Sequence, residues 1–242
     1  MRNVIVTGGT LGLGLGIARK LVQADYRVIV IARRRSEQFA AAAREDGDDG
    51  RLNFWPYDLS KVDRIPELVR SIKTSYGPLY GLVNNASIGA SGVLAAMPIS
   101  EIEHLIRVNV LSPIILTRQV VRAMMVTTGG RIINIGSIVG TTGFSGLSVY
   151  GATKAAASGF TRSLAREVGK LGITVNAIAP GFVDTELTQG LSEAQRKRIA
   201  GRSALRRLPE ADDVARMVEY LLGDGGCNIT GSVLTIDAGN TA

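Results

Sequence analysis

The chain has little of the chemistry from which metal centres and disulfide frameworks are built: one cysteine, Cys227, and one histidine, His104, in 242 residues. A single thiol in a Gly- and Asp-rich turn has no partner for a bridge, and one His with one Cys cannot furnish a tetrahedral zinc site. His104 falls inside a helical pattern and reads as a structural or solvated side chain. Long apolar runs are also lacking. Gly, Pro or a charge interrupts each one well before membrane-spanning length, and no basic segment with an apolar stretch precedes the first β-branched run. A soluble, cytoplasmic chain without a membrane partner is the expectation. The net charge is +7, yet apart from Arg33-Arg34-Arg35 and the stretch from Arg196 to Arg207 the basic residues are dispersed. That pattern argues against nucleic acid and for anionic small molecules or acidic partners.

What is present is enough apolar material for one substantial core. With 45% hydrophobic and 20% charged residues, residues 1–242 read as a single domain. The β-branched run Asn3 to Thr7 breaks into Gly8-Gly9-Thr10-Leu11-Gly12-Leu13-Gly14-Leu15-Gly16, and the helical pattern Ile17 to Val22 follows. Strand, glycine loop and helix in that order are what a dinucleotide needs. The glycines let the backbone turn sharply and approach a pyrophosphate, and the free N–H groups of the helix start point at its negative charge. A second apolar strand, Tyr26 to Ala32, ends in Arg33-Arg34-Arg35. An acid at this strand end accepts a bond from the adenosine ribose 2′-hydroxyl, whereas arginine accommodates a 2′-phosphate. Ala32 stands where the acid would be, so NADP is the expected cofactor, with Arg33 and Arg34 on the phosphate. The alternative for these arginines is a solvated basic turn.

Further strand and helix patterns alternate along the chain: a helix from Ser36 to Asp49, strand 51–57, helix 62–76, strand 79–84, a long helical stretch 99–126, strand 130–137, helix 150–170, strand 173–179, helix 210–222 and a last strand 231–237. Asp58 follows the third strand directly, as a ligand contact or as the cap of the next helix. Asn109 lies in mid-helix, where asparagine costs propensity, so a local bond or a kink is expected there.

Tyr150 and Lys154 are four residues apart. On a helix that spacing puts both on one face, and an ammonium beside a phenol favours phenolate, which readies the phenol to exchange a proton with a substrate oxygen. Ser137, at the end of an apolar strand, is placed to hydrogen-bond the same oxygen. Taken alone, Tyr-x3-Lys is an ordinary surface pair; the nucleotide loop and the strand-end serine give it meaning.

Together, Thr7-Gly8-x3-Gly12-x-Gly14, Asn84-Asn85-Ala86, Ser137, Tyr150-x3-Lys154 and Pro180-Gly181 closely resemble the short-chain dehydrogenase/reductase family over essentially the whole chain. The resemblance implies an α/β fold: a Rossmann-like, doubly wound, seven-stranded parallel sheet in the order 3-2-1-4-5-6-7. It implies Asn109, Ser137, Tyr150 and Lys154 as the catalytic set, with Asn109 holding a water that links Lys154 to solvent. It implies cofactor contacts from Gly8, Thr10, Leu11, Gly12, Leu13, Gly14, Arg33 and Arg34, then from Asp58 at the adenine edge, Leu59, Asn85, Ala86 and Ser87. Tyr150, Lys154, Pro180, Gly181, Val183 and Thr185 complete that list, Val183 and Thr185 near the nicotinamide carboxamide. Ser87 departs from the family's Asn-Asn-Ala-Gly, and Leu11 stands where many NADP-using members carry a base.

The resemblance further implies hydride transfer between NADPH and a carbonyl or alcohol, with Tyr150 as general acid. The stretches around Gly130–Ser137, Gly172–Asn176 and Ala179–Val183 look like the 3-oxoacyl-acyl-carrier-protein reductases. An acyl thioester on acyl carrier protein or coenzyme A is therefore the expected substrate. A free ketone, sugar, steroid or quinone is the alternative, because Val126-Thr127-Thr128 and Leu171 replace basic residues frequent in such reductases. A non-catalytic NADP sensor is a third reading, disfavoured by the retention of both Tyr150 and Lys154. Residues 184–207 are expected to form a lid over the substrate, and a homotetramer, or a dimer, is the expected assembly.

Overall fold

The computed structural model describes residues 1–46, 50–127, 129–183 and 192–242. Seven strands form one parallel sheet: β1 (Arg2–Thr7), β2 (Tyr26–Ala32), β3 (Leu52–Pro56), β4 (Leu79–Asn84), β5 (Gly130–Ile135), β6 (Ile173–Pro180) and β7 (Val233–Ile236). Their spatial order is β3-β2-β1-β4-β5-β6-β7, the order expected from the sequence. Helices α1 (Gly12–Gln23), α2 (Glu37–Glu45), α3 (Ile65–Tyr76), α4 (Ile99–Ile106), α5 (Ser112–Met124), α6 (Ser148–Val168), α7 (Glu193–Arg202) and α8 (Ala211–Leu222) make the connections.

Strand side chains alternate between the two faces, and both faces are covered, so the strands are apolar at nearly every position. Val4, Val6, Val28 and Val30 pack on one side with α1 and α8 residues such as Ile17, Leu21, Val218 and Leu221. Ile5, Ile29 and Ile31 pack on the other with Ile65, Ile72, Leu116 and Leu164 from α3, α5 and α6. All eight residues of β6 are buried. A buried polar chain ties this second layer together. Asn84 Nδ2 donates to Thr117 Oγ1 at 2.9 Å and to Asn134 Oδ1 at 2.8 Å, and Asn134 Nδ2 donates to Thr161 Oγ1 at 2.8 Å.

Between α4 and α5 the helix does not stop but widens into a π turn over Arg107–Leu111, with Asn109 buried inside it. The mid-helix asparagine therefore sits in a register defect of the kind often found at functional sites. His104 is exposed on α4 and Cys227 is exposed near the last strand. No helix among the described residues is long and apolar enough to cross a membrane.

Strands β1 and β4 are neighbours, and the chain leaves them toward opposite sides of the sheet: β1 leads to β2, β4 to β5. The crevice beyond the carboxyl ends at such a reversal is where open α/β sheets bind ligands. Thr7, Asn84, Ile135 and Pro180 all end strands at that edge.

Candidate active site

The glycine loop is shaped by two close approaches. Gly8 has φ +67°, and a Cβ there would lie 3.0 Å from Ala86 Cα; at Gly14 a Cβ would lie 2.2 Å from the Gly8 carbonyl oxygen and 2.5 Å from Asn85 Nδ2. Only glycine permits this packing of α1 against β1 and the loop after β4. Helix α1 then begins at Gly12 with no side-chain cap at Leu11 and no acidic residue in its first turn. Its leading N–H groups thus present partial positive charge to the crevice, an arrangement suited to a pyrophosphate. Thr10 joins this loop to the next one: its carbonyl accepts the Ser36 hydroxyl, and Ser36 Oγ accepts Phe39 N at 2.9 Å to cap α2.

Arg33 and Arg34 are exposed at the end of β2, and neither has an ion-pair partner within 4 Å among the described residues. They border a groove with Tyr57, Asp58, Lys61 and Arg64. Burial alone would raise the Asp58 carboxyl, but bonds from the Ser60 backbone and side chain, with Arg33 and Lys61 nearby, outweigh it and hold it low. Asp58 Oδ1 accepts Ser60 N at 3.0 Å, so Asp58 closes its own turn as well as facing the groove. Leu59 follows it, half-buried against the core layer of α3.

The loop after β4 is clamped at both ends. Thr7 Oγ1 accepts Asn85 N at 3.0 Å and Ala86 N at 2.9 Å, while Asn85 Nδ2 donates to the Thr7 carbonyl at 3.0 Å. Two residues on, Ile88 N donates to Asn109 Oδ1 at 2.9 Å and Asn109 Nδ2 donates to the Ile88 carbonyl at 2.8 Å. The same Asn109 amide reaches Thr153 Oγ1 at 3.2 Å, and Thr153 Oγ1 donates to the Tyr150 carbonyl at 2.7 Å. Asn109 thus connects the loop, the π turn and the first turn of α6. Sequence reading singled out Asn109 but missed Thr7 and Thr153. Their position in the glycine motif and inside Tyr-x3-Lys was the available signal.

Lys154 is buried on α6, and its Nζ donates to the Ile135 carbonyl at 3.1 Å at the end of β5. Burial disfavours its charge and lowers its pKa to about 8. The same ammonium lies 5.5 Å from the centroid of the Tyr150 ring. The spacing expectation holds geometrically, but its electrostatic half does not. Burial pushes the Tyr150 phenol above its ordinary value, and among the described residues the Ser87 side chain opposes it. Desolvation acts on both members of the pair and outweighs their mutual influence here.

Ser137 lies two residues beyond the end of β5, not within the strand as expected, and caps a short 3₁₀ turn, its Oγ accepting Val139 N at 3.2 Å. Phe144, from the loop between Ser137 and α6, meets Phe182 edge-on with ring centroids 5.7 Å apart. Across β6, Gly181 is seated against Asp237: a Cβ there would lie 2.8 Å from the Asp237 Cβ. Val183, two residues past Gly181, is buried, and its N–H donates to the Gly181 carbonyl at 3.0 Å. Thr185, and with it residues 184–191 of the expected lid, lies outside the described residues, as does Thr128. The described part of that segment holds α7, which buries none of its residues.

Residues 2–196 match the short chain dehydrogenase family. The chain belongs to the short-chain dehydrogenase family. Its relatives in that family include a 3-oxoacyl-[acyl-carrier-protein] reductase of Pseudomonas aeruginosa, 38% identical over 237 residues, covering 97% of this chain and 95% of the relative. A carbonyl reductase family member 4 from Xenopus tropicalis is also 38% identical, over 234 residues with the same coverage. Among solved structures, a short-chain dehydrogenase from Burkholderia cenocepacia J2315 in complex with NADP superimposes with a TM-score of 0.91 at 33% identity, over 100% of this chain and 98% of the other. The polar network and the glycine packing described above are therefore those of a short-chain dehydrogenase, an oxidoreductase of carbonyl and hydroxyl groups.

Proposed function

We propose that the protein is an NADPH-dependent reductase of 3-oxoacyl thioesters, carried on acyl carrier protein or on coenzyme A, that forms the 3-hydroxyacyl product. The observation that carries this reading is the meeting of the Tyr150 phenol and the Lys154 ammonium at the carboxyl edge of the sheet, beside an uncapped, acid-free helix start. The 38% identity to a 3-oxoacyl-acyl-carrier-protein reductase supports the substrate class, and the resemblance to a structure in complex with NADP supports the cofactor.

The residues present fit such a cofactor. Gly8, Thr10, Leu11, Gly12, Leu13 and Gly14 offer backbone to a pyrophosphate, and Arg33 and Arg34 offer two exposed guanidinium groups to a 2′-phosphate. Asp58, Leu59, Asn85, Ala86 and Ser87 would flank the adenosine and ribose portions, and Pro180, Gly181, Val183 and Thr185 the nicotinamide end. When bound, NADPH supplies the hydride that reduces the substrate carbonyl carbon. Tyr150 donates its phenolic proton to the carbonyl oxygen, and Ser137 Oγ hydrogen-bonds that oxygen as its charge grows. Lys154 holds positive charge beside the phenol, and Asn109 fixes the turn of α6 on which Tyr150 stands. Exposed arginines on α5 and α7, Arg118, Arg122, Arg198 and Arg202, offer docking points for an acidic carrier.

A free-ketone substrate is the second reading, favoured by Val126, Thr127 and Leu171 in place of basic residues, and the likeness to a carbonyl reductase accords with it. Side-by-side turnover of acetoacetyl coenzyme A, an acetoacetyl carrier protein and simple ketones, followed by loss of reduced nicotinamide absorbance, separates the two. Thioester turnover well above ketone turnover is expected. The reverse order rejects the thioester assignment.

A further inference from the structure

We propose that Asn84 is a positioning residue for Lys154: its side-chain carbonyl holds an internal water that accepts a hydrogen bond from the Lys154 ammonium, and that water keeps the buried charge solvated. The bearing of this site on turnover rests on reading Tyr150 and Lys154 as the catalytic pair, whereas the water site itself does not. The two side chains reach one cavity from different elements. Asn84, 7% exposed at the end of β4, and Lys154, 6% exposed on α6, both line it, together with Asn109, Asn134 and Thr153. Sheet register brings them there. Asn84 is paired with Asn134 on β5, and the next residue, Ile135, offers the carbonyl that takes Lys154 Nζ at 3.1 Å.

Most polar atoms of the lining are already engaged. Asn84 Nδ2 uses its two protons on Thr117 Oγ1 and Asn134 Oδ1, Asn134 Nδ2 is turned to Thr161, and the Asn109 amide is taken up by Ile88 and Thr153. Among the described residues lining the cavity, only Asn84 Oδ1 is a buried side-chain atom with no hydrogen-bond partner. An unpaired buried carbonyl costs free energy, so such groups are met by ordered water where there is room. There is room here, because the cavity volume is about 30 Å³ and about 10–15 Å³ accommodates one water. An ammonium has three protons to give, and the Ile135 carbonyl takes one. A water that accepts from Lys154 and donates to Asn84 Oδ1 serves both groups. No other titratable side chain of the described residues lines the cavity: β4, β5 and the π turn present amides, a carbonyl and apolar groups. The phenol of Tyr150, on the same helix with its ring centroid 5.5 Å from Nζ, is the titratable neighbour of the ammonium.

Two measurements on the full-length, cofactor-free protein test the site. In crystals of the wild type that diffract well enough to place waters, an ordered water is expected within about 2.7–3.2 Å of both Asn84 Oδ1 and Lys154 Nζ. The absence of a water bonded to both overturns the proposal, whether or not any variant folds. The second measurement is an alkaline titration of Lys154, read from the ¹³Cε resonance of labelled lysine and assigned by its loss in Lys154→Met. In Asn84→Ala the transition moves to lower pH, so that at a fixed pH above it the charged fraction falls about threefold to tenfold, the worth of one hydrogen bond. Thr117→Val breaks one of the Asn84 amide bonds but keeps the carbonyl, and it leaves the Lys154 transition in place. An unchanged or raised transition in Asn84→Ala overturns the proposal, as does an equal shift in Thr117→Val. If Tyr150→Phe retains turnover while the Lys154 transition responds to Asn84→Ala, the functional reading fails and the water site stands.

Discussion

At the scale of single residues, Lys154 is held in a state it would not choose in water. Lys154 is fully inside, with one bond to the Ile135 carbonyl, and burial brings its pKa from 10.5 to about 8. The unfolded chain therefore binds the proton more tightly than the folded one. Between pH 8 and 10.5 stability rises with pH, and below pH 8 the charged form costs about 3 kcal/mol. Lys154→Met, similar in length and apolar, is expected to melt higher than wild type at pH 7, and the difference should shrink by pH 10.5 in thermal scans of the cofactor-free protein. An equal difference at both pH values would show that Lys154 carries no such penalty. The burial of Lys154 was not legible in the sequence. Tyr-x3-Lys fixes a shared helix face, but whether that face is dry depends on β5, whose Ile135 carbonyl is 19 positions from Lys154, and on the loop after β4. The shared helix face of Tyr150 and Lys154, by contrast, could be read directly from their spacing.

At the scale of elements, the strands and most helices could be read from β-branched runs and Gly or Pro breaks, because a parallel sheet covered on both faces writes itself as apolar segments. The π turn over Arg107–Leu111 could not. It carries the Asn109–Ile88 pair, a contact across 21 residues that no local pattern encodes. Asn109→Ala removes both of those bonds and the one to Thr153, leaving the Ile88 backbone groups unpaired. A loss of about 2–4 kcal/mol in denaturant unfolding is expected, at about 1–2 kcal/mol for each stranded group. Turnover should fall with it, whereas a variant with unchanged unfolding would show that the clamp is not structural. The glycine loop makes a sharper demand. Gly14→Ala places a methyl 2.2 Å from the Gly8 carbonyl, so α1 must shift away from β1. NADPH affinity, measured by fluorescence titration, is expected to drop at least tenfold, and retained affinity would contradict the packing described for the loop.

At the scale of the whole molecule, the resemblance forecast the strand order, and the single sheet bears it out. Assembly belongs to this scale too. Ile99 is 75% exposed on α4, and Ile106, Leu111 and Ile114 are exposed along the same helical stretch. The homotetramer or dimer that the family resemblance leads one to expect would cover that apolar stretch, and light scattering should then return a mass two or four times that of the chain. Ile99→Glu combined with Ile106→Glu should lower it, and a monomeric wild type would contradict the proposal. In the proposed function, cofactor choice falls to the charge of Arg33 and Arg34 at the far end of the crevice. Replacing Arg33 and Arg34 together with serine removes two charged donors, each worth about 1.5–3 kcal/mol. The Kd for NADPH should rise at least tenfold while that for NADH stays within a factor of about two.

The most direct test of the central claim is the turnover of Tyr150→Phe on acetoacetyl coenzyme A with NADPH, alongside its NADPH affinity. If the phenol is the proton donor, kcat falls by roughly 10²–10⁴-fold while NADPH still binds nearly as tightly as to wild type. A Tyr150→Phe protein that reduces the thioester at the wild-type rate would contradict the account.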